Sequence, residues 1–197
     1  MQFVPPEFTF KHSDPPAQDI LSARLRAKYW GAQVITHRPF IRQILEFNHK
    51  ATLESFESPL PTYSEFRSDV TVPAIGADPR TPGDMPQQVI EYAVMGIRAL
   101  IESIRAFHDV EDKRFIITNV FRTAYAQWGN LLTLAAAFKD PILNAYIDEN
   151  TLKELFSRTI VFFKLIAQPT SALAIDMRIL EGLERELWCD IAEPGRR

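Results

Sequence analysis

The sequence predicts an all-α protein: an irregular bundle of about six helices carrying one long Pro-rich loop. Three observations carry that expectation. Apolar residues recur at three-and-four spacing in one segment after another, prolines fall between those segments, and strand-like alternation appears only in PPEFTF near the N-terminus. With 197 residues, 46% of them hydrophobic, the chain is long enough for one domain with a sizeable core.

The chain divides into an extended N-terminal segment (1–16), a helix-Pro-helix part (17–48), a flexible acidic loop (49–86), a main helical bundle (87–190) and a tail (191–197). After Pro15 and Pro16, residues Ile20, Leu21, Leu25, Tyr29 and Ile35 form the apolar stripe of a first helix. Pro39 is expected to end that helix and to open the next, Phe40 to Phe47, at the position where a missing N–H costs nothing. From Lys50 to Pro86 the period vanishes. Between positions 51 and 85 the acids Glu54, Glu57, Glu65, Asp69, Asp78 and Asp84 face only Arg67 and Arg80, with Phe56, Tyr63 and Phe66 interspersed, a composition shared by solvated loops and acidic activation segments.

The remainder reads as successive helices. Met85 to Phe107 turns Val89, Ala93, Ile97, Leu100, Ile101 and Ile104 to a core. Lys113 to Lys139 is apolar almost all round and is expected to be the central, most buried helix, ended by Asp140 and Pro141. A short helix follows at Ile142 to Ile147. Thr151 and Glu154 have capping-box spacing ahead of a helix closed by Pro169, and Ser171 to Trp188 presents Leu173, Met177, Leu180, Leu183 and Leu187 on one face. Gly31, Gly96, Gly129 and Gly182 lie inside these helices, where close helix crossings are the expected reason for them.

Several function classes are disfavoured. A net charge of -3 and a pI near 5.8 argue against a phosphate-binding face, so DNA contact is not expected of this chain itself. Cys189 is the single cysteine, which rules out an intramolecular disulfide and thiolate clusters and suits a reducing compartment. The longest apolar runs fall short of a bilayer span, and the N-terminus lacks a signal-peptide pattern, so a soluble protein without membrane partners is expected. His12, His37, His49 and His108 lack metal-ligand spacing, so no metal site is expected, and His37 reads as a helix-terminal residue meeting orphan carbonyls. Asp109, Glu111 and Asp112 read as charges that favour a helix N-terminus. With no G-x-S-x-G or Gly-rich phosphate loop either, no catalytic residue and no cofactor are assigned, and the chain is not expected to be an enzyme.

One pattern keeps ligand binding open. Asn119, Thr123, Gln127 and Asn130 recur at helical steps along the otherwise apolar central helix. If this stripe is buried, it requires internal partners, water or a ligand; if exposed, it is the solvent side.

The segment LRAKYWGAQVITHRPFI, followed by RALIESIRAFHDV, KRFIITNVFRTAYAQWGNLLTLAAAFKDPIL and IDENTLKELFSRTIVFFKLIAQPTSALAIDMRILEGLE, resembles the late part of the middle homology region of fungal zinc binuclear cluster transcription factors. Tyr29, His37, Arg38, Pro39 and Phe40 carry the motif as structural residues. The resemblance implies a helical, nuclear regulatory region that works on protein partners or on other parts of a longer transcription factor, with a homodimer among the allowed states. Zinc and DNA binding belong to the family's cysteine-rich module, which has no counterpart in this sequence. The alternative reading is a small-molecule-sensing helical module with a pocket beside the central helix.

Overall fold

In a computed structural model, residues 9–12, 14–53, 75, 83, 85–108 and 120–188 are described. They form five α-helices: α1 (Ile20–Leu53), α2 (Gln87–Arg105), α3 (Val120–Lys139), α4 (Glu149–Ile166) and α5 (Ala172–Trp188), with a 3-10 turn at Leu143–Tyr146 between α3 and α4. No strand occurs among the described residues, so the all-α expectation holds. The acidic loop beyond Leu53 and the residues Asp109, Glu111, Asp112 and Asn119 lie outside the described residues, apart from Ile75, Gly83, Met85 and Pro86 in the loop.

The expected helix-Pro-helix corner is absent. The first helix runs for 34 residues with Pro39 inside it, a rod of about 50 Å. Proline removes the hydrogen bond to the carbonyl four residues back, here that of Ile35. Both Pro39 and Ile35 are exposed, so that carbonyl is left facing water rather than a dry core. What keeps the rod whole is burial on both sides of the proline: Trp30 and Val34 before it and Phe40, Ile41, Ile44 and Phe47 after it all enter the same core.

Continuity through Pro39 also changes which face is buried. The buried positions step back from Ile44 through Ile41, His37, Val34 and Trp30 to Ala23, a regular three-and-four series. The stripe expected from Ile20, Leu21, Leu25, Tyr29 and Ile35 is therefore rotated toward solvent, with Leu21 58% and Ile35 79% exposed. His37 is accordingly no helix-terminal residue. It sits in mid-helix against α2, buried, and its Nδ1–H donates to the Gln33 carbonyl at 2.8 Å.

Helices α1 and α2 run antiparallel and make the most extensive contact in the fold. Gly96 of α2 faces His37 and Ile41 of α1; a Cβ there would lie 2.9 Å from Ile41 Cδ1, 3.1 Å from His37 Cβ and 3.3 Å from the His37 carbonyl. The close-crossing explanation for helical glycines holds here, and it fails at Gly31, Gly129 and Gly182, which have nothing within 4 Å of a Cβ. Gly96→Val is expected to cost about 1–3 kcal/mol in urea unfolding, because the His37 backbone cannot yield as the Ile41 tip can. A loss below about 0.5 kcal/mol would show that the crossing has slack.

Helix α3 touches every other helix and the 3-10 turn, which makes it central. It is not sheathed all round, however: α2 has the more continuous buried face, from Val89 through Ile104, and one side of α3 borders an open groove. Helix α4 begins two residues before the expected capping box. Asp148, not Thr151, is its N-cap and accepts the Thr151 N–H at 2.7 Å, and that hydrogen bond holds the Asp148 carboxyl below its ordinary range. Ser171 caps α5, and Leu173, Leu180 and Leu187 bury the expected face.

Ahead of α1, the segment around Phe10 and His12 lies along the helix. The Tyr29 ring meets Phe10 edge-on at 5.4 Å, its hydroxyl lies 2.9 Å from His12 Nε2, and Arg26 bonds the Pro15 carbonyl.

Candidate ligand groove

The rotated face of α1 is the starting point of the site. Arg24, Lys28, Gly31, Ile35 and Arg38 follow one another at steps of four, three, four and three, so all five project along a single line of the helix. That line sits beside the buried one and borders a groove of about 960 Å³, open on one side, between α1, the end of α2 and α3. The volume falls at the upper end of the range of small-molecule sites.

Small residues create the space. Ala27, Gly31 and Ala32 line the α1 wall, Ala126 and Gly129 the α3 wall, and both glycines look into emptiness where a side chain would stand. Apolar and aromatic groups give the groove a greasy floor and lip: Val34 and Ile35 from α1, Phe107 from beyond the end of α2, and Tyr125, Trp128 and Leu132 from α3. Tyr125 and Trp128 stack with ring centroids 5.6 Å apart and planes inclined by 29°. Tyr125 nevertheless remains 62% exposed, a large aromatic face presented to whatever enters.

The polar stripe divides in two. Gln127 and Asn130 are buried, and Thr123 is half-buried. Asn130 is satisfied internally, its Nδ2–H donating to Ser103 Oγ of α2 at 3.2 Å. Gln127 is different: the residue is 3% exposed, it is part of the groove wall, and its Oε1 is buried with no hydrogen-bond partner among the described residues. A buried acceptor left unpaired costs roughly 1–3 kcal/mol, so this amide is a costly point in the packing of α3 beside the groove. Trp128 Nε1, on the same helix, is likewise buried without a partner.

Among the described residues the lining contains Arg24, Lys28, Arg38 and Arg122 and no acidic residue. This segregation is visible along the chain: from Ile20 to Leu45 there are five basic residues and no acid, and α3 has none either, in a chain with 25 acidic and 22 basic residues overall. Arg24, Lys28 and Arg38 have no ion-pair partner among the described residues.

The motif residues from 29 to 40 do not form one site. Tyr29 anchors the segment before α1, His37 and Phe40 pack against α2 with Phe40 4.9 Å from the Tyr92 ring, Pro39 is exposed, and only Arg38 reaches the groove. Among the described residues no group of three or more His, Cys, Asp or Glu is placed to hold a metal, and no helix is long and apolar enough to cross a membrane. Sequence reasoning missed the α1 wall altogether, although the acid-free run of α1 and the regular recurrence of Arg24, Lys28 and Arg38 with Gly31 were available to find it. Comparison with protein-family models, with curated proteins and with solved structures finds no match.

Proposed function

We propose that this chain is a small-molecule-sensing regulatory module whose effector site is the groove between α1 and α3. The observation that carries the reading is a groove large enough for a metabolite, walled by the exposed Tyr125 ring and Trp128 on α3 and by Arg24, Lys28 and Arg38 on α1. A ligand that covers Tyr125 and Trp128 and reaches the cationic line of α1 ties α1 to α3, two helices that otherwise have few contacts with each other. Binding then stiffens the bundle along the seam that the groove keeps open. The reading involves no catalytic step: the polar groups gathered here recognise and do not form a nucleophile-base pair.

In the setting that the sequence resemblance implies, such a module restrains or releases a nuclear transcription regulator by packing against partner segments. Support for the partner side comes from exposed apolar residues beside the α4–α5 connection, Val161 and Leu165 on one helix and Ile175 and Ile179 on the other, which offer a surface for another protein.

The test is a thermal-shift screen of a metabolite library against the native chain and Gly31→Leu. A Cβ at position 31 meets nothing within 4 Å, so leucine there extends from the middle of the α1 wall into the groove and restores helix propensity; the variant is expected to be more stable by up to about 1 kcal/mol while losing the ligand-dependent rise in Tm. A ligand present at a hundred times its Kd stabilises the native chain by about 2.7 kcal/mol. If hits shift both proteins equally, the effector site is elsewhere and the proposal falls.

A further inference from the structure

Resting on the effector-groove reading, the charge distribution narrows the ligand to one chemical class. We infer that the groove takes a planar organic acid: a ring system lying on Tyr125 and Trp128, with its carboxylate or sulfonate turned toward the cationic line of α1. Two independent features support the anion. Arg24, Lys28 and Arg38 line the groove from a single helix line without ion-pair partners, and no acidic residue contributes to the lining, both among the described residues. Arg24 and Lys28, one helical turn apart, repel each other, and an anion held between them relieves that repulsion.

The ring system follows from the opposite wall. Tyr125 and Trp128 are stacked, Tyr125 is largely exposed, and Ile35, the most exposed large apolar side chain described, lies across from them on α1. A flat apolar body covers these surfaces, and the guanidinium groups of Arg24 and Arg38 suit the bidentate geometry of a carboxylate or sulfonate.

The experiment uses two fluorescent probes that differ only in charge, 1-anilinonaphthalene-8-sulfonate and its neutral parent N-phenyl-1-naphthylamine, titrated into the full chain, into the triple variant R24Q/K28Q/R38Q and into Gly31→Leu. The sulfonate is expected to bind about tenfold more tightly than the neutral probe, with the ratio falling toward one in the triple variant and both probes lost from Gly31→Leu. Circular dichroism verifies that the triple variant, whose changes are all on exposed or half-exposed positions, keeps its helices. Equal affinities for the two probes, both lost in Gly31→Leu, would leave the groove as a ligand site and overturn the anion class. Binding that survives in Gly31→Leu, or no binding of either probe, would overturn this inference and the effector-groove reading together.

Discussion

Phe40→Ala is expected to destabilise the protein by about 3–5 kcal/mol, whereas Arg38→Gln, two residues away, stays within about 0.5 kcal/mol of the native chain. The contrast follows from helix geometry. Phe40 lies on the buried line of α1, 6% exposed and against the Tyr92 ring, so its removal deletes a large apolar side chain from a core that cannot fully collapse around the gap. Arg38 lines the groove and is exposed, so its replacement leaves the packing of the core alone. The double variant is therefore expected to be no less stable than Phe40→Ala by more than a few tenths of a kcal/mol. Urea unfolding followed by circular dichroism measures all three. Equal losses from the two single changes would mean that α1 is not seated in this register.

That register decided how far the sequence could be read. The three-and-four pattern of Val89, Ala93, Ile97, Leu100 and Ile104 admits one buried face, and α2 adopts it; the same holds for Leu173, Leu180 and Leu187 of α5. In α1 two apolar lines compete, and local rules chose the wrong one. Proline at position 39 counts as a helix end when only neighbouring residues are weighed, yet its exposed position and the burial available on both sides make a continuous helix the better solution. A helix that stops before Pro39 turns Ile35 inward and hides the line Arg24, Lys28, Gly31, Ile35, Arg38, whereas the continuous helix leaves Ile35 79% exposed. On the α3 side the site was legible: the amide recurrence pointed to Gln127 and Asn130, and both are buried. What sequence alone could not give was the difference between them, because Asn130 meets Ser103 only once α2 and α3 are packed.

Asp140→Ala is expected to cost about 2–4 kcal/mol, the second large effect in the fold. Read locally, Asp140 and Pro141 simply end α3. In the structure the Asp140 side chain is 5% exposed and binds three donors: its Oδ1 accepts the Ile142 and Leu143 N–H groups, each at 2.9 Å, and its Oδ2 accepts Nδ2–H of Asn48 at 2.6 Å. The first two bonds start the 3-10 turn that carries the fully buried Leu143. The third joins that turn to α1, 92 positions earlier. Alanine removes both acceptor oxygens, and with them all three hydrogen bonds, and strands two backbone donors where water has little access. Asp140→Asn keeps an acceptor for the turn and, with the Asn48 amide reversed, a bond to α1, so it is expected to recover at least half of the loss. Hydrogen exchange of the Ile142 and Leu143 amides separates the contributions: in the alanine variant both exchange much faster, and in Asn48→Ala only global stability falls. Protected amides in Asp140→Ala would show that the turn is held by the packing of Leu143 alone, with the aspartate merely occupying the space beside it.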